Sequence, residues 1–117
     1  MSQYNDTGTR SFTTAGAITR FARVILGSGG TVTVAGASDK DIGTARDATA
    51  SGENVTVTLL NKSGSAKHVA SAAIAAGAEV EAAASGKIAT KASGTAIGYA
   101  LEAAAADGDI IEVLRFA

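Results

Sequence analysis

Two stretches of this chain read against each other. Ile42-Gly43-Thr44-Ala45-Arg46-Asp47 runs through small residues to Gly52 and enters the β-branched Val55–Leu60. Ile97-Gly98-Tyr99-Ala100-Leu101-Glu102 does the same through Gly108 into Ile110–Phe116. Both begin Ile-Gly-x-Ala, carry an acid at the sixth position and close on a strand pattern, with one extra residue in the second turn. Upstream, Ala15–Ile18 is matched to Ala76–Val80. A duplication of this kind constrains the fold strongly, because each copy must form a similar supersecondary unit and the two must pack together. Gly43 and Gly98 fall inside strand patterns, where glycine marks a bulge or a close backbone approach.

The local patterns favour strands. Val55, Val57 and Leu59 alternate with Thr56 and Thr58, the period of two of a half-buried strand. Ile18–Leu26 is β-branched and aromatic and ends at the Gly27–Gly30 loop; Thr31–Val34 follows as another strand. Ile110–Phe116 is apolar on much of both faces, and Asp107-Gly108-Asp109 before it signals a turn. Alanine favours helix over 66–76 and 100–106. Glycines cut these stretches to lengths at which an isolated helix is marginal, and 66–76 stays open between strand and helix. The expected fold is all-β with at most one short helix. It is a small β-barrel or sandwich-like body of two related units, a single domain over 15–117 behind an extended, flexible N-terminal arm over 1–14. Its 117 residues fit one domain, or two lobes sharing one core.

Alanine supplies roughly a quarter of the residues and aromatics only 4 %, so bulky core formers are scarce. An alanine methyl stabilises far less on burial than the roughly 1.5–3 kcal/mol of a Leu, Ile or Phe. A monomer with so thin a core is marginal, which favours an oligomer. The net charge of -1 lacks the basic excess of a nucleic-acid-binding module. No run of about 18 apolar residues marks a membrane helix. The N-terminus has neither the basic nor the apolar region of a signal peptide.

Catalytic constellations are missing from the pattern. There is no cysteine, and His68 is the single histidine, expected as a solvent-exposed strand residue. Asp39-Lys40-Asp41 and Asp107-Gly108-Asp109 each offer two carboxylates but lack the further oxygen ligands of a calcium loop, so a solvated loop and a hairpin turn are expected. Asp47 and Glu102, at matching repeat positions, are expected to share a structural task such as accepting turn N–H bonds. Gly27–Gly30 is not followed by the Gly-Lys-Ser/Thr of a phosphate loop, and no serine sits in a Gly-x-Ser-x-Gly elbow. The expectation is no enzyme, no metal and no cofactor.

The segment Gly94–Leu114, with its Ile-Gly-x-Ala-Leu-Glu … Asp-Gly … Val pattern, resembles the ending of the tailed-phage capsid decoration (head cement or stabilisation) proteins. Ile42-Gly43 … Gly52-Glu53-Asn54-Val55-Thr56-Val57 is similar to the central segment of that family, and Ala76–Val80 with Ser85–Lys87 to its linking segment. The resemblance covers 15–114, and the polar arm has no counterpart in it. It implies a β-rich virion protein, made in the host cytoplasm. On the outer capsid surface it would sit as a homotrimer near three-fold sites of the major capsid protein shell and stabilise the expanded head, with no nucleic acid or membrane partner. Tyr4, Arg10 and Phe12 on the arm are the expected capsid-binding residues. Competing readings are another virion accessory, such as a head-fibre base or tail component, and a small β-barrel carbohydrate-binding module.

Overall fold

A computed structural model describes residues 8–60 and 64–116. They form ten strands: β1 (Thr9–Thr13), β2 (Arg23–Leu26), β3 (Val32–Val34), β4 (Gly43–Ala45), β5 (Asn54–Leu59), β6 (Ala66–Val69), β7 (Glu79–Ala82), β8 (Ile88–Thr90), β9 (Ala96–Ala100) and β10 (Ile110–Arg115). Two antiparallel sheets result, ordered β1-β5-β4-β2-β3 and β6-β10-β9-β7-β8. Adding five to each strand number converts the first order into the second, so the duplication read from two segments extends through the whole described chain. Helix is confined to two three-residue 3-10 turns, Ser28–Gly30 and Ala84–Gly86, again at matching places. The ambiguous 66–76 stretch supplies β6 and the turn after it.

Each sheet curls until its edges meet. Thr14 bridges Val32 beside β3, with Ala15 N–H donating to Val32 O at 3.0 Å. Ala70 bridges Ile88 in the same way, with Ser71 N–H donating to Ile88 O at 2.8 Å. Closure removes the exposed strand edges that invite aggregation. It also encloses a separate apolar cluster in each lobe: Phe12, Ile18, Ala22, Val24, Val32, Ala45, Val55 and Val57 in the first, and Ala70, Ile74, Val80, Ile88, Ala100, Ala104, Ile111 and Val113 in the second. The lobes therefore do not share one core. Barrels this small close over side chains of modest volume, which is the use the chain makes of Val, Ile and Ala.

Three boundaries differ from the sequence reading. The strand expected over Ile18–Leu26 begins only at Arg23; Ile18 makes an isolated bridge to Thr49, and Phe21 turns the chain at a φ of 61°. Ile18 corresponds to Ile74, which bridges Ala104, so the counterpart of Ala15–Ile18 is Ser71–Ile74 and not Ala76–Val80. The shared Ala-Gly-Ala letters are a coincidence of composition. The arm expected over 1–14 is strand from Thr9 onward: β1 pairs with β5 from Thr9↔Thr58 to Thr13↔Asn54. Only residues 1–7 of that stretch, Tyr4 among them, lie outside the described residues.

The two repeat glycines are close approaches. A Cβ on Gly43 would lie 2.0 Å from Thr58 O, and one on Gly98 would lie 2.3 Å from Leu114 O. Backbone atoms cannot yield as a flexible side-chain tip does, so the pairing of β4 with β5, and of β9 with β10, requires glycine there. Gly43→Ala and Gly98→Ala are each expected to cost about 3 kcal/mol or more of unfolding free energy in urea titrations. Gly16→Ala, where a Cβ meets nothing within 4 Å, is the control and should change it little.

Candidate functional site

Most buried ionic chemistry of the described chain lies where the lobes meet. Arg23 on β2 points away from the first core, and its side chain is 0 % exposed. Its Nε donates to Lys87 O at 3.0 Å, and its Nη2 donates to Ala83 O at 2.6 Å and Gly36 O at 3.2 Å. Two of these carbonyls flank the Ala84–Gly86 turn of the second lobe, so one guanidinium binds the lobes through backbone. Arg115, at the end of β10, forms a two-pronged pair with Asp41 of the first lobe: Nη1 to Oδ2 at 3.0 Å and Nη2 to Oδ1 at 2.9 Å. Asp41 also lies 3.7 Å from Arg23 Nη1, so one carboxylate sits between two guanidinium groups. The fork geometry of arginine matches both carboxylate oxygens at once, the arrangement in which a buried pair best offsets its desolvation.

His68 on β6 completes the cluster. It is buried, and its Nε2 lies 3.1 Å from Arg115 Nη1. Arginine only donates, so Nε2 accepts and the ring is neutral, with its proton on Nδ1. Burial, and then the Arg115 charge, hold the His68 pKa down at about 3. Burial likewise lowers the Arg23 pKa, with Asp41 acting against it, and a guanidinium so placed still keeps its charge. Around the cluster, Gly86 N–H donates to Ala35 O at 2.8 Å, and Lys67 Nζ of the second lobe lies 5.9 Å from the Phe21 ring of the first.

Several expectations are corrected here. His68 is not a solvent-exposed strand residue; it takes the place in the second barrel that Phe12 has in the first, where β6 faces inward. Of Asp39-Lys40-Asp41, Asp39 and Lys40 are exposed in their loop as expected, Asp39 accepting from Gly36 N–H at 2.8 Å, but Asp41 is buried between arginines. Phe12, expected as a shell anchor, is a core residue, with Arg10 stacked 4.7 Å above its ring. Asp107 pairs with Lys87 at 2.8 Å, while Asp109 Oδ2 accepts from Ala105 and Ala106 N–H, as a turn requires. Glu102 accepts from Glu112 N–H at 2.7 Å, the kind of structural task expected of it. Among the described residues no cluster of three or more His, Asp and Glu side chains is placed to hold a metal. Nothing in the repeat signalled the arginine–aspartate network, since Arg23 corresponds to Glu79 and Asp41 to Ala96.

Arg23, Asp41 and Arg115 are thus occupied in holding the two barrels together. Such an arrangement defines a structural scaffold 44 Å long and 26 × 22 Å across. The chain belongs to the phage cement protein family, whose profile matches residues 2–115. It is therefore a capsid-associated structural protein of a phage virion. Among solved structures it is similar to the head fibre gp8.5 N base of bacteriophage phi29, at a TM-score of 0.79 and 14 % identity over 92 % of each chain; this likeness concerns the fold. No curated protein matches it.

Two measurements probe the junction. Asp41→Asn leaves two buried guanidinium groups without a counter-charge and is expected to destabilise by about 3–5 kcal/mol in denaturant titrations. Above about pH 6.5 His68 is neutral whether folded or unfolded. Below it the unfolded chain takes up a proton that the folded chain refuses until about pH 3. Stability should therefore fall by about 1.4 kcal/mol per pH unit across that window from this residue. His68→Gln, which retains an acceptor for Arg115 and cannot titrate, should flatten the slope between pH 6 and 4.

Proposed function

We propose that the protein binds the outer surface of a phage head as a trimer near three-fold sites and there stabilises the expanded shell. The observation that carries this reading is the family match over nearly the whole chain, joined to a body whose lobes are fixed by buried ion pairs. A rigid body attached to neighbouring capsomers must be broken or released before they separate, which raises the barrier to shell disruption. Three copies acting together multiply a modest contact, by roughly 10²–10⁴ when all reach their sites at once.

Attachment is proposed to run through the N-terminal segment, with Tyr4 and the exposed Arg10 as contacts. Phe12 supports Arg10 from the core and does not itself touch the shell. A second reading, a base that carries a fibre on the head, is favoured by the likeness to the phi29 head fibre base. Imaging of decorated heads separates the two, since a base reading requires further density projecting from each copy.

Undecorated heads titrated with the purified protein should saturate at three copies per three-fold site and resist heating to a higher temperature than bare heads. Saturation at another ratio, or unchanged heat resistance, would count against the proposal. Deleting residues 2–7 leaves β1 in place and should lower occupancy at least tenfold at equal protein concentration; unchanged occupancy would remove the arm from the attachment.

A further inference from the structure

The outward faces of β2, β4 and β5 carry a polar row. Arg23 stands opposite Thr44, and Thr44 opposite Thr58. The same register in the second lobe joins Glu79 to Tyr99 and Tyr99 to Leu114, so the polar row belongs to the first copy alone. Between this row and β6 lies a cavity of about 30 Å³, whose polar side chains are those of Thr44, Thr58, His68 and Arg115. On the same measure a single water needs roughly 10–15 Å³. The rim at Thr58, Leu59 and Leu60 is half-buried, within reach of ions from solvent.

The cluster beside this cavity does not balance its charge. Arg23 and Arg115 each bring a positive charge, Asp41 brings one negative charge, and His68 is neutral. One buried positive charge is left over. Asp39, the further acid that acts on Arg23, sits on an exposed loop. The hydrogen bonds are incomplete as well: Arg115 Nε, Arg23 Nη1 and His68 Nδ1 are buried without a partner, and Arg115 and His68 line the cavity. Buried N–H groups are nearly always satisfied, by ordered water or an ion where the protein supplies no acceptor. Neither lining threonine spends its hydroxyl on a hydrogen bond within the described chain, so both can turn a proton inward. No carboxylate lines the cavity. Water would satisfy such donors and leave the charge; an anion satisfies both.

We propose that this cavity is a binding site for a small monovalent anion of halide size, chloride in ordinary media, held among Arg115, His68 and the hydroxyls of Thr44 and Thr58. The ion neutralises the junction and touches both lobes, since Thr44 and Thr58 belong to the first and His68 and Arg115 to the second. Its occupancy therefore adds to the fastening that Asp41 provides. The site depends on neither shell attachment nor oligomeric state.

Crystals of the full chain soaked in sodium bromide test the site directly, with an anomalous bromide peak expected in the cavity. Urea unfolding at fixed ionic strength is the counterpart in solution. Exchanging gluconate, too bulky to enter, for chloride between about 20 and 200 mM should raise the folding equilibrium constant several-fold, toward the limit of about tenfold for one saturating site. Thr44→Val keeps the shape and removes one donor, and should raise the chloride concentration needed for this effect by about tenfold. Water in place of bromide, or equal stability in the two salts, overturns the proposal. A bromide peak without chloride-dependent unfolding is an adventitious ion only and overturns it as well. A chloride effect of undiminished affinity in Thr44→Val puts the ion elsewhere and overturns the assignment. The bromide measurement uses the wild type, so it decides the matter even where the variant does not fold.

Discussion

Asp41 is the residue on which the relation of the two lobes depends. Its carboxylate meets Arg115 through two hydrogen bonds and Arg23 at 3.7 Å, with little water at hand to screen any of them. Removing charges from water costs several kcal/mol per ion, and mutual attraction repays this only when geometry is good and the remaining donors are used. Arg23 meets the second condition in part, donating from Nε and Nη2 to three backbone carbonyls, two of them beyond the junction, while its Nη1 has Asp41 at 3.7 Å. Hydrophobic contact tolerates sliding, whereas a two-pronged ion pair with backbone carbonyls on the far side fixes both distance and angle. For two small barrels with separate cores, that directional fastening gives one rigid body where an apolar seam of alanines would leave two loosely tethered ones.

The separation of the cores explains the composition. A lobe of some fifty residues buries too little surface to be secure alone, and eight buried residues per lobe, mostly Val, Ile and Ala, make a light core. Duplication compensates by letting each lobe cover part of the other. The close approaches at Gly43 and Gly98 serve the same economy of volume, since they let a small barrel close without a large side chain to fill it.

Much of the fold was legible from sequence because its signals are local. Alternation in Val55–Leu59, the glycine-punctuated Ile-Gly-x-Ala segments and the turn at Asp107–Asp109 each arise within a few residues, and they delivered the β class, the duplication and the two constrained glycines. The junction was not legible, because none of its partners are near in sequence: Asp41 and Arg115 are 74 residues apart. His68 misled for a related reason. Its polarity suggests the surface, yet its register on β6 turns it inward to the place held by Phe12, and only the pairing with β10 at Ile111 reveals this. Phe12 itself was assigned to an arm because the residues around it are polar, although alternation alone sets its side chain into the barrel while Ser11 and Thr13 face out.

Divergence between the copies then has a physical order. Apart from Phe12 and His68, the inward positions changed little, Val or Ile standing for Val or Ile at 24 and 80, 32 and 88, 55 and 111, and 57 and 113, because barrel volume is fixed. The outward row changed most. In the first copy it became polar and buried, with Arg23 donating to backbone carbonyls across the junction and Thr44 lying beneath the second lobe. In the second copy the same positions became Glu79, Tyr99 and Leu114, two of them large and apolar yet open to solvent. A duplicated scaffold relieved of any demand on that row would drift toward polar, soluble residues. Instead an aromatic pair and a leucine stand open on the outer face of β9 and β10, in a chain otherwise so sparing of large side chains.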